Sequence, residues 1–477
     1  MFKEDTIAAI ATGLTDAGIG IVRISGSKAV DVGNRLFRSP SGKSVLCDAK
    51  THVLQYGFIV NEVEAESFAD WKSCIIDEVM AVVMRAPRSF TGEDTVEIQC
   101  HGGVLVMKRI LEEVLKCGAR MAEPGEFTKR AFLNGRMDLS RAEAVMDVIS
   151  SHNEYALASS INQLNGKLSK EIKSLRDSII YEIAFIESAL DDPEHISLDG
   201  YCKKLSEKLD RLTENIEKLL STVRDGKWIK EGINTVIVGK PNVGKSSLLN
   251  LLLGEERAIV TKMAGTTRDI LKERVILNNI SLNIVDTAGI RYTEDAVEKI
   301  GVERAKQYAK DADLILYVVD SSEMLDESDR EIFPLFADKK MIVLMNKSDL
   351  CAAVYEDDIL KVFREFFPDS ESPKVIRTSA TEGAGLKEFE KTVREMFFHG
   401  EIRTNGETVI TNIRHAEALR EALSSLKLVR KSIDDGMSED FYSIDLMSAY
   451  TFLGKIIGEE VDDDLVEEIF SKFCMGK

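Results

Sequence analysis

"GKPNVGKS", Gly239 to Ser246, settles the character of the middle of this chain. It follows the apolar run "INTVIV" (233–238) and leads into "SLLNLLL" (247–253), so a strand, a glycine-bearing loop and a helix stand in that order. The spacing is GxxxxGK[ST]. In such a loop the backbone N–H groups, with the helix N-terminus, cradle an anion, and the lysine, here Lys245, reaches the terminal phosphates. The hydroxyl of Ser246 is placed to ligate magnesium. Asn242, Val243, Gly244 and Ser247 complete the expected phosphate-binding stretch.

Three shorter motifs follow in the order a GTPase needs. "DTAG" (Asp286, Thr287, Ala288, Gly289) ends an apolar strand; the aspartate supports magnesium through its shell and the Gly289 N–H meets the γ-phosphate. "NKSD" (Asn346, Lys347, Ser348, Asp349) ends another. A carboxylate at Asp349 accepts hydrogen bonds from guanine N1–H and the exocyclic amine. Adenine would leave it facing an acceptor, and an unpaired buried polar group costs ~1–3 kcal/mol. "TSA" (378–380) brings Ser379 and Ala380, with Thr381 next, to the guanine oxygen. Any one of these is an ordinary turn; four in order predict a GTP-binding domain, and Asp349 argues against a plain P-loop ATPase.

Hydrolysis needs more. Ras-like GTPases place a glutamine directly after DTAG to orient the attacking water. Here the position is Ile290, and no arginine lies in the phosphate loop. A transition-state cation is worth roughly 10³–10⁵ in rate, so both parts need replacements. Asn242 offers a carbonyl oxygen that could hold a monovalent cation, although the residues alone read equally well as a turn former. "TKMAGTTRD" (261–269) could close over the nucleotide, with Thr267 on magnesium and backbone carbonyls around that same cation. "EDAVEKIG" (294–301) supplies Glu294, Asp295 and Glu298, which composition alone reads as the solvated start of a helix.

Outward from the motifs the pattern changes twice. Residues 1–138 alternate β-rich runs such as "GIGIVRIS" and "TVEIQC" with helical stretches such as "VLVMKRILEEVLK", an α+β pattern without a parallel βαβ rhythm. In 139–230, Leu168, Ile172, Leu175, Ile179, Ile183, Ile186 and Leu190 recur at steps of three or four and mark one face of a long helix. Pro193 ends it. Leu205, Leu209, Leu212, Ile216, Leu219 and Val223 mark a second. The βα rhythm occupies 231–398, and helical stripes return in 399–477. Stripes on both sides of the α/β part need partners, and the economical arrangement is one helical domain with the GTPase domain inserted into it, rather than two separate hairpins.

A chain of 477 residues suits about three domains. The net charge of −19 disfavours tight, unaided binding to a phosphate backbone, because that affinity comes from Lys and Arg displacing counterions. It leaves room for a nucleic-acid substrate held mainly by a partner. Seven cysteines, none in a CxxC pair, suit reduced thiols. "MFKEDTIAAIATGL" has acidic residues where a signal peptide needs basic ones, and no apolar run approaches the ~20 residues a membrane span requires. A cytoplasmic protein without a membrane partner is expected.

Together, GKPNVGKS, AGTTRD, DTAGIR and VEKIG resemble the tRNA-modification GTPase MnmE (TrmE) family. So do "DTIAAIAT…GIGIVRISG", "SFTGEDTVEIQCHGG", "PGEFTKRAFLNGRMDLSRAEAV" and the terminal "IFSKFCMGK", which GTPases in general do not share. The resemblance spans essentially the whole length. It implies a cytoplasmic homodimer with an N-terminal domain (1–138) that binds a tetrahydrofolate derivative (5,10-methylene or 5-formyl). It also implies a helical domain (139–230 and 399–477) interrupted by a Ras-like GTPase domain (231–398). The implied function is to add, with the FAD-carrying flavoprotein MnmG, a carboxymethylaminomethyl-type group to C5 of the wobble uridine of certain tRNAs. GTP hydrolysis would be driven by potassium-dependent pairing of GTPase domains.

Carried over by position, the resemblance assigns potassium (K+) to Asn242, Thr261, Met263 and Thr266, and magnesium (Mg2+) to Ser246 and Thr267. It extends the GTP contacts through Lys262, Ala264 and Gly265. Glu298, within VExIG, becomes the water-orienting catalytic residue. Arg23, Glu97, Arg136 and Lys477 match folate contacts. Three positions depart from the family pattern: Arg136 stands where some relatives have Lys, "GLTDAG" (13–18) replaces a Pro-Pro-Gly segment, and Met475 stands where Ile is common.

Cys474, fourth from the end, occupies the place of a prenylated cysteine, but Gly476 and Lys477 fit that rule poorly and no polybasic stretch precedes it. The resemblance instead places the tail inside the dimer near the folate, Lys477 on a folate carboxylate and Cys474 near the pterin; with no neighbouring His visible in sequence to activate the thiol, an accessory, positioning role is favoured over covalent catalysis, which stays open. His101 in "CHGG" sits on a strand–turn–helix, yet no GxSxG nucleophile exists, so its glycines are read as turn formers near a ligand. A ribosome-assembly GTPase switch is the alternative. It would have no use for a folate site and would need an RNA-binding appendage with basic patches.

Overall fold

The computed structural model describes residues 5–61, 71–254, 272–286, 308–336, 339–398, 407–461, 463–474 and 476. The chain forms two compact units, one of residues 1–146, 163–209 and 424–477, the other of 147–162 and 210–423. Among the described residues no helix is long and apolar enough to cross a membrane.

In the first unit seven described strands make one sheet: β1 (Ile7–Ile10), β2 (Ala17–Ser25), β3 (Phe37–Arg38), β4 (Leu54–Val60), β5 (Ile75–Met84), β6 (Thr95–Gly102) and β7 (Arg120–Met121). Their order is β3-β4-β5-β6-β2-β1-β7. Every pairing is antiparallel except β1 with β7, so the α+β expectation holds with one parallel edge. Side chains alternate across a strand. Val22, Ile24, Val96 and Ile98 therefore enter a core with Met107, Ile110 and Val114 of the helix Val104–Lys116. On β1 the alternate residues Ile7 and Ala9 turn to a second cluster with Phe127 and Ala122, which Phe90 joins. Arg23, between Val22 and Ile24, lies directly across from Glu97 in the register.

The helices of this unit follow the stripes read from sequence. Lys167–Asp191 buries Leu168, Ile172, Leu175, Ile179, Ile183 and Ile186, ends two residues before Pro193, and packs along Glu439–Ile457; Leu190, read as part of the same face, is instead exposed in the helix's last turn. The buried Arg176 guanidinium sits 3.9 Å from the Tyr450 ring and pairs with Glu459. That cation is covered because an aromatic face and a carboxylate both meet it.

The second unit is α/β. Its described strands are β8 (Ile233–Val238), β9 (Lys272–Leu277), β10 (Ile280–Asp286), β11 (Leu314–Asp320), β12 (Lys340–Asn346) and β13 (Lys374–Arg377), in the order β13-β12-β11-β8-β10-β9. All neighbours are parallel except the β9–β10 hairpin. That hairpin turns on Asn278 and Asn279, both left-handed at φ 42° and 70°. Both faces are covered. Ile237, Leu316, Val318, Ile342 and Leu344 serve one core, and Val236, Val238, Ile315, Tyr317, Val343 and Met345 the other. This is why these strands read as unbroken apolar runs. The loops after β8, β12 and β13 emerge at the carboxyl ends of parallel strands, where open α/β sheets bind ligands.

Candidate functional site

The phosphate loop leaves β8 at Gly239 (φ 153°), where an added Cβ would stand 2.3 Å from the Val318 carbonyl oxygen. The loop thus runs against β11 with no room for a side chain. Asn242 (φ 62°) and Gly244 (φ 95°) turn it through left-handed conformations, and the helix Lys245–Gly254 begins at once. Lys245 Nζ arches back to donate to the carbonyls of Gly239 (2.8 Å) and Lys240 (2.6 Å), holding its charge over the loop. Ser246 and Ser247 are exposed on the first turn, and Val243 is buried.

Sequence reasoning passed over Lys240. Its ammonium sits between Asp326 (3.0 Å) and the buried Asp329 (2.8 Å), and Asp329 also accepts the Tyr317 hydroxyl (2.7 Å). Burial opposes the lysine's charge, but the two carboxylates outweigh it and hold its pKa above the ordinary value. The loop is thereby pinned to β11 and the helix Glu327–Ile332. Lys240 occupies a variable position of the motif, so nothing local in the sequence singles it out.

Asn346 brackets two loops. Its Nδ2 donates to the Val243 carbonyl (2.9 Å) and its Oδ1 accepts from the Ala380 N–H (3.2 Å), with the residue 1% exposed. Lys347, at φ 59°, pairs with Asp320 (2.5 Å) at the end of β11. Burial would raise the Asp320 pKa, but Lys347 and Ser322 lower it on balance. Asp349 is exposed, and its carboxylate accepts the Ser379 hydroxyl at 2.7 Å, the main reason its pKa lies below the usual range. Ser379 also meets Thr381 Oγ1 (2.9 Å), while the Ser348 N–H donates to Thr378 O (3.1 Å). Asn346, Asp349, Ser379 and Ala380 therefore come together as the motifs predict, and Asn346 ties them to the phosphate loop.

Asp286 closes β10 beside Ile237 of β8, one strand over from the approach to the phosphate loop. The remaining nucleotide-site assignments lie outside the described residues: Thr261, Lys262, Met263, Ala264, Gly265, Thr266, Thr267, Thr287, Ala288, Gly289, and the catalytic candidate Glu298 with Ile290, Glu294 and Asp295. The residues described fit a nucleotide. Gly239 and Gly244 let the loop lie against β11 and Asn346 with no room for a side chain, a cation overhangs it, and Ser246 is exposed on the first helical turn beside it, where it could serve a metal.

A second constellation forms in the other unit, between residues far apart in sequence. Arg23 Nε pairs with Glu97 at 2.8 Å, its Nη1 donates to the Gly476 carbonyl at 3.3 Å, and its guanidinium lies 5.5 and 5.6 Å from the Phe90 and Phe127 rings. Gly476 is buried against Ile10 and Ala11; an added Cβ would come within 2.6 Å of both. Gly125 (φ 69°) donates its N–H to the Cys474 carbonyl (3.2 Å), and a Cβ there would approach the Phe470 oxygen to 2.4 Å. Phe470 is buried against Phe132 and Phe473. An ion-pair network of Arg130 with Asp5, Glu93 and Glu126 fixes the helix Glu126–Leu133 that carries Phe127. Cys474 is exposed. Arg136 is exposed too, and its side chain has no hydrogen bond or ion pair among the described residues. Lys477 lies outside them. Gly125 and Phe470 went unremarked in sequence, and Gly476 entered only as a poor fit to the prenylation rule, because their role is steric.

His101 is exposed and rests on Asp77, Nδ1 to Oδ1 at 2.7 Å, with its N–H on the other oxygen at 2.8 Å. That hydrogen bond raises its pKa.

The comparisons cover the whole chain. The profile described as "MnmE helical domain" matches residues 139–474, and that described as "GTP-binding protein TrmE N-terminus" matches 6–136. This chain belongs to the MnmE family of tRNA modification GTPases. Proteins named tRNA modification GTPase MnmE from Lachnoclostridium phytofermentans, Acetivibrio thermocellus and Clostridioides difficile are 54%, 46% and 47% identical, each over all of both chains. The family resemblance read from the motifs is confirmed. With it stand the architecture of an N-terminal domain and a helical domain interrupted by a P-loop GTPase, and the assignment as a GTP hydrolase acting in tRNA modification.

Proposed function

We propose that the chain acts in the cytoplasm as a homodimer which, with the flavoprotein MnmG, adds a carboxymethylaminomethyl-type group to C5 of the wobble uridine of certain tRNAs. The one-carbon unit is drawn from a tetrahydrofolate derivative. The observation that carries this reading is the meeting of Arg23 and Glu97 with residue 476: matched folate contacts on β2 and β6 lie against the tail that bears Cys474 and Lys477. A cationic guanidinium framed by two aromatic rings, beside a carboxylate, suits a planar heterocycle that donates and accepts hydrogen bonds. In this reading Arg23, Glu97, Arg136 and Lys477 hold the folate, and Cys474 positions it.

In the nucleotide domain Lys245 steadies the terminal phosphates, Asp349 selects guanine, and Glu298 orients the attacking water by accepting its hydrogen bond. Ser246 and Thr267 would hold magnesium and Asn242, Thr261, Met263 and Thr266 potassium, ions that supply positive charge where negative charge develops on the phosphates. Pairing of two nucleotide domains accompanies hydrolysis.

Mass analysis of tRNA nucleosides from cells lacking this protein tests the reading. Unmodified wobble uridine should accumulate and disappear again on complementation; an unchanged nucleoside profile overturns it. Turnover of purified chain should be several-fold faster in potassium than in sodium chloride at equal ionic strength, and equal rates remove the cation from the mechanism.

A further inference from the structure

A cavity of about 300 Å³ opens in the second unit, lined chiefly by Arg224, Lys227, Trp228, Asp313, Lys339 and Lys340. Asp313 precedes β11 and Lys340 begins β12, so the cavity lies at the amino ends of these parallel strands, the edge opposite the nucleotide loops. The helix Val223–Glu231 supplies Arg224, Lys227 and Trp228 from one face, as steps of three and four dictate. Four cations thus surround the opening, against a single carboxylate. Asp313 is itself engaged, accepting the Asn234 N–H at 3.0 Å.

Part of this cluster has a structural purpose. The Arg224 guanidinium lies 4.7 Å from the ring centre of the buried Trp228, and Lys340 Nζ lies 5.1 Å from the same ring and 4.3 Å from Phe397. Lys340 also donates to the Met396 carbonyl, and Lys339 to those of Lys310 and Ala312. Stacking and carbonyl contacts explain where these groups rest. They leave unexplained why like charges crowd one cavity in a chain of net charge −19. Lys340 bears the strain: burial, then the nearby Arg224, lower its pKa against the pull of Asp225 and Asp313. Arg224 and Lys227 are exposed, so they reach solvent at the rim. An anion seated here relieves the repulsion and replaces lost hydration.

We propose that this cavity is a phosphodiester-binding site that grips the backbone of the tRNA substrate. The inference rests on the tRNA reading above and adds a contact surface to it. A guanidinium resting over an indole presents its donor fork at the rim, chemistry that suits phosphate oxygens. Trp228 is covered by that fork and not offered to a base, so recognition is of backbone and not of sequence. Lysines 339 and 340 are more than a hundred residues from Arg224, which is why no basic patch shows in the sequence.

The test is filter binding of an unmodified tRNA transcript to the full chain between 50 and 200 mM KCl. Arg224→Gln with Lys227→Gln should weaken binding and reduce the salt slope by about one to two, as each lost phosphate contact does, with GTP affinity unchanged. Lys203→Gln with Lys204→Gln, the same charge change at exposed helix positions elsewhere, should leave both quantities as they were. Equal slopes and affinities for the Arg224/Lys227 variant and the unaltered chain overturn the cavity alone, as does an equal loss in the Lys203/Lys204 control. Absence of tRNA binding by the unaltered chain also overturns the cavity alone, since the tRNA reading is tested separately by the nucleoside profile. If titration with inorganic phosphate shows binding that the Arg224/Lys227 variant loses while its tRNA binding persists, the cavity is a free-anion site and the backbone assignment falls.

Discussion

Ser379 gives its hydroxyl to Asp349, and that bond keeps the carboxylate charged to lower pH than an ordinary aspartate. A depressed pKa means the charged form is complete at neutral pH and fades only as pH falls through the lowered value. Ser379→Ala should therefore move the acid limb of GTP binding to higher pH, measured as affinity against pH from 7 down to 4, with little change at neutrality. Asp349→Asn removes the charge and turns one of the two acceptor oxygens into a donor facing guanine's own donors. Hydrogen bonds to a charged group are stronger than neutral ones, so GTP should bind about ten- to a hundredfold more weakly. Glu298→Ala should slow turnover by about 10²-fold or more with GTP affinity nearly unchanged, a separation read from single-turnover rates beside equilibrium titration. At this scale the motif residues were legible, because GxxxxGK[ST] and NKSD are local patterns. Lys240, Asp329 and Asn346's second bond were not, because each acts on a partner about 30 to 100 positions away.

Two glycines show how whole elements depend on the absence of a side chain. At Gly244 a Cβ would stand 2.2 Å from Asn346 Nδ2, and φ is 95°. Gly244→Ala should therefore disturb the phosphate loop and the guanine loop together, costing about 1–3 kcal/mol of backbone strain and more GTP affinity than a change in either loop alone. Gly125→Ala strikes the turn that receives the C-terminal segment. It should release that segment, seen as faster proteolysis near residues 470–476 and weaker folate binding, while GTP binding stays intact. Strand and helix identities were legible from apolar periodicity: Ile172, Ile179, Ile183 and Ile186 read as one helical face and are one. The clasp of the tail on Gly125 and Gly476 was visible only as a family resemblance, since close approach of backbones leaves no hydrophobic or charge pattern.

The division into two compact units sets the expectation for the whole molecule. Unfolding should show two transitions by calorimetry. GTP at about a hundred times its dissociation constant adds ~2.7 kcal/mol to the unit that binds it, and should raise only the transition of residues 147–162 and 210–423, by about 5–11 °C. A single transition, or equal shifts in both, would show that the units unfold as one. Net charge, which reads as hostile to nucleic acid, proved a poor guide to surface detail: it averages over 477 residues and conceals the cluster around Trp228.

The bond from Arg23 to the Gly476 carbonyl joins residues 453 positions apart. At ordinary elongation speeds of about 5–20 residues per second, the ribosome delivers the second partner roughly 20 to 90 seconds after the first. Throughout that delay the N-terminal domain has its sheet but lacks one of the acceptors around Arg23. A nascent or truncated chain would therefore emerge with the nucleotide module assembled ahead of the site around Arg23, and release from the ribosome would mark the first moment at which both could operate.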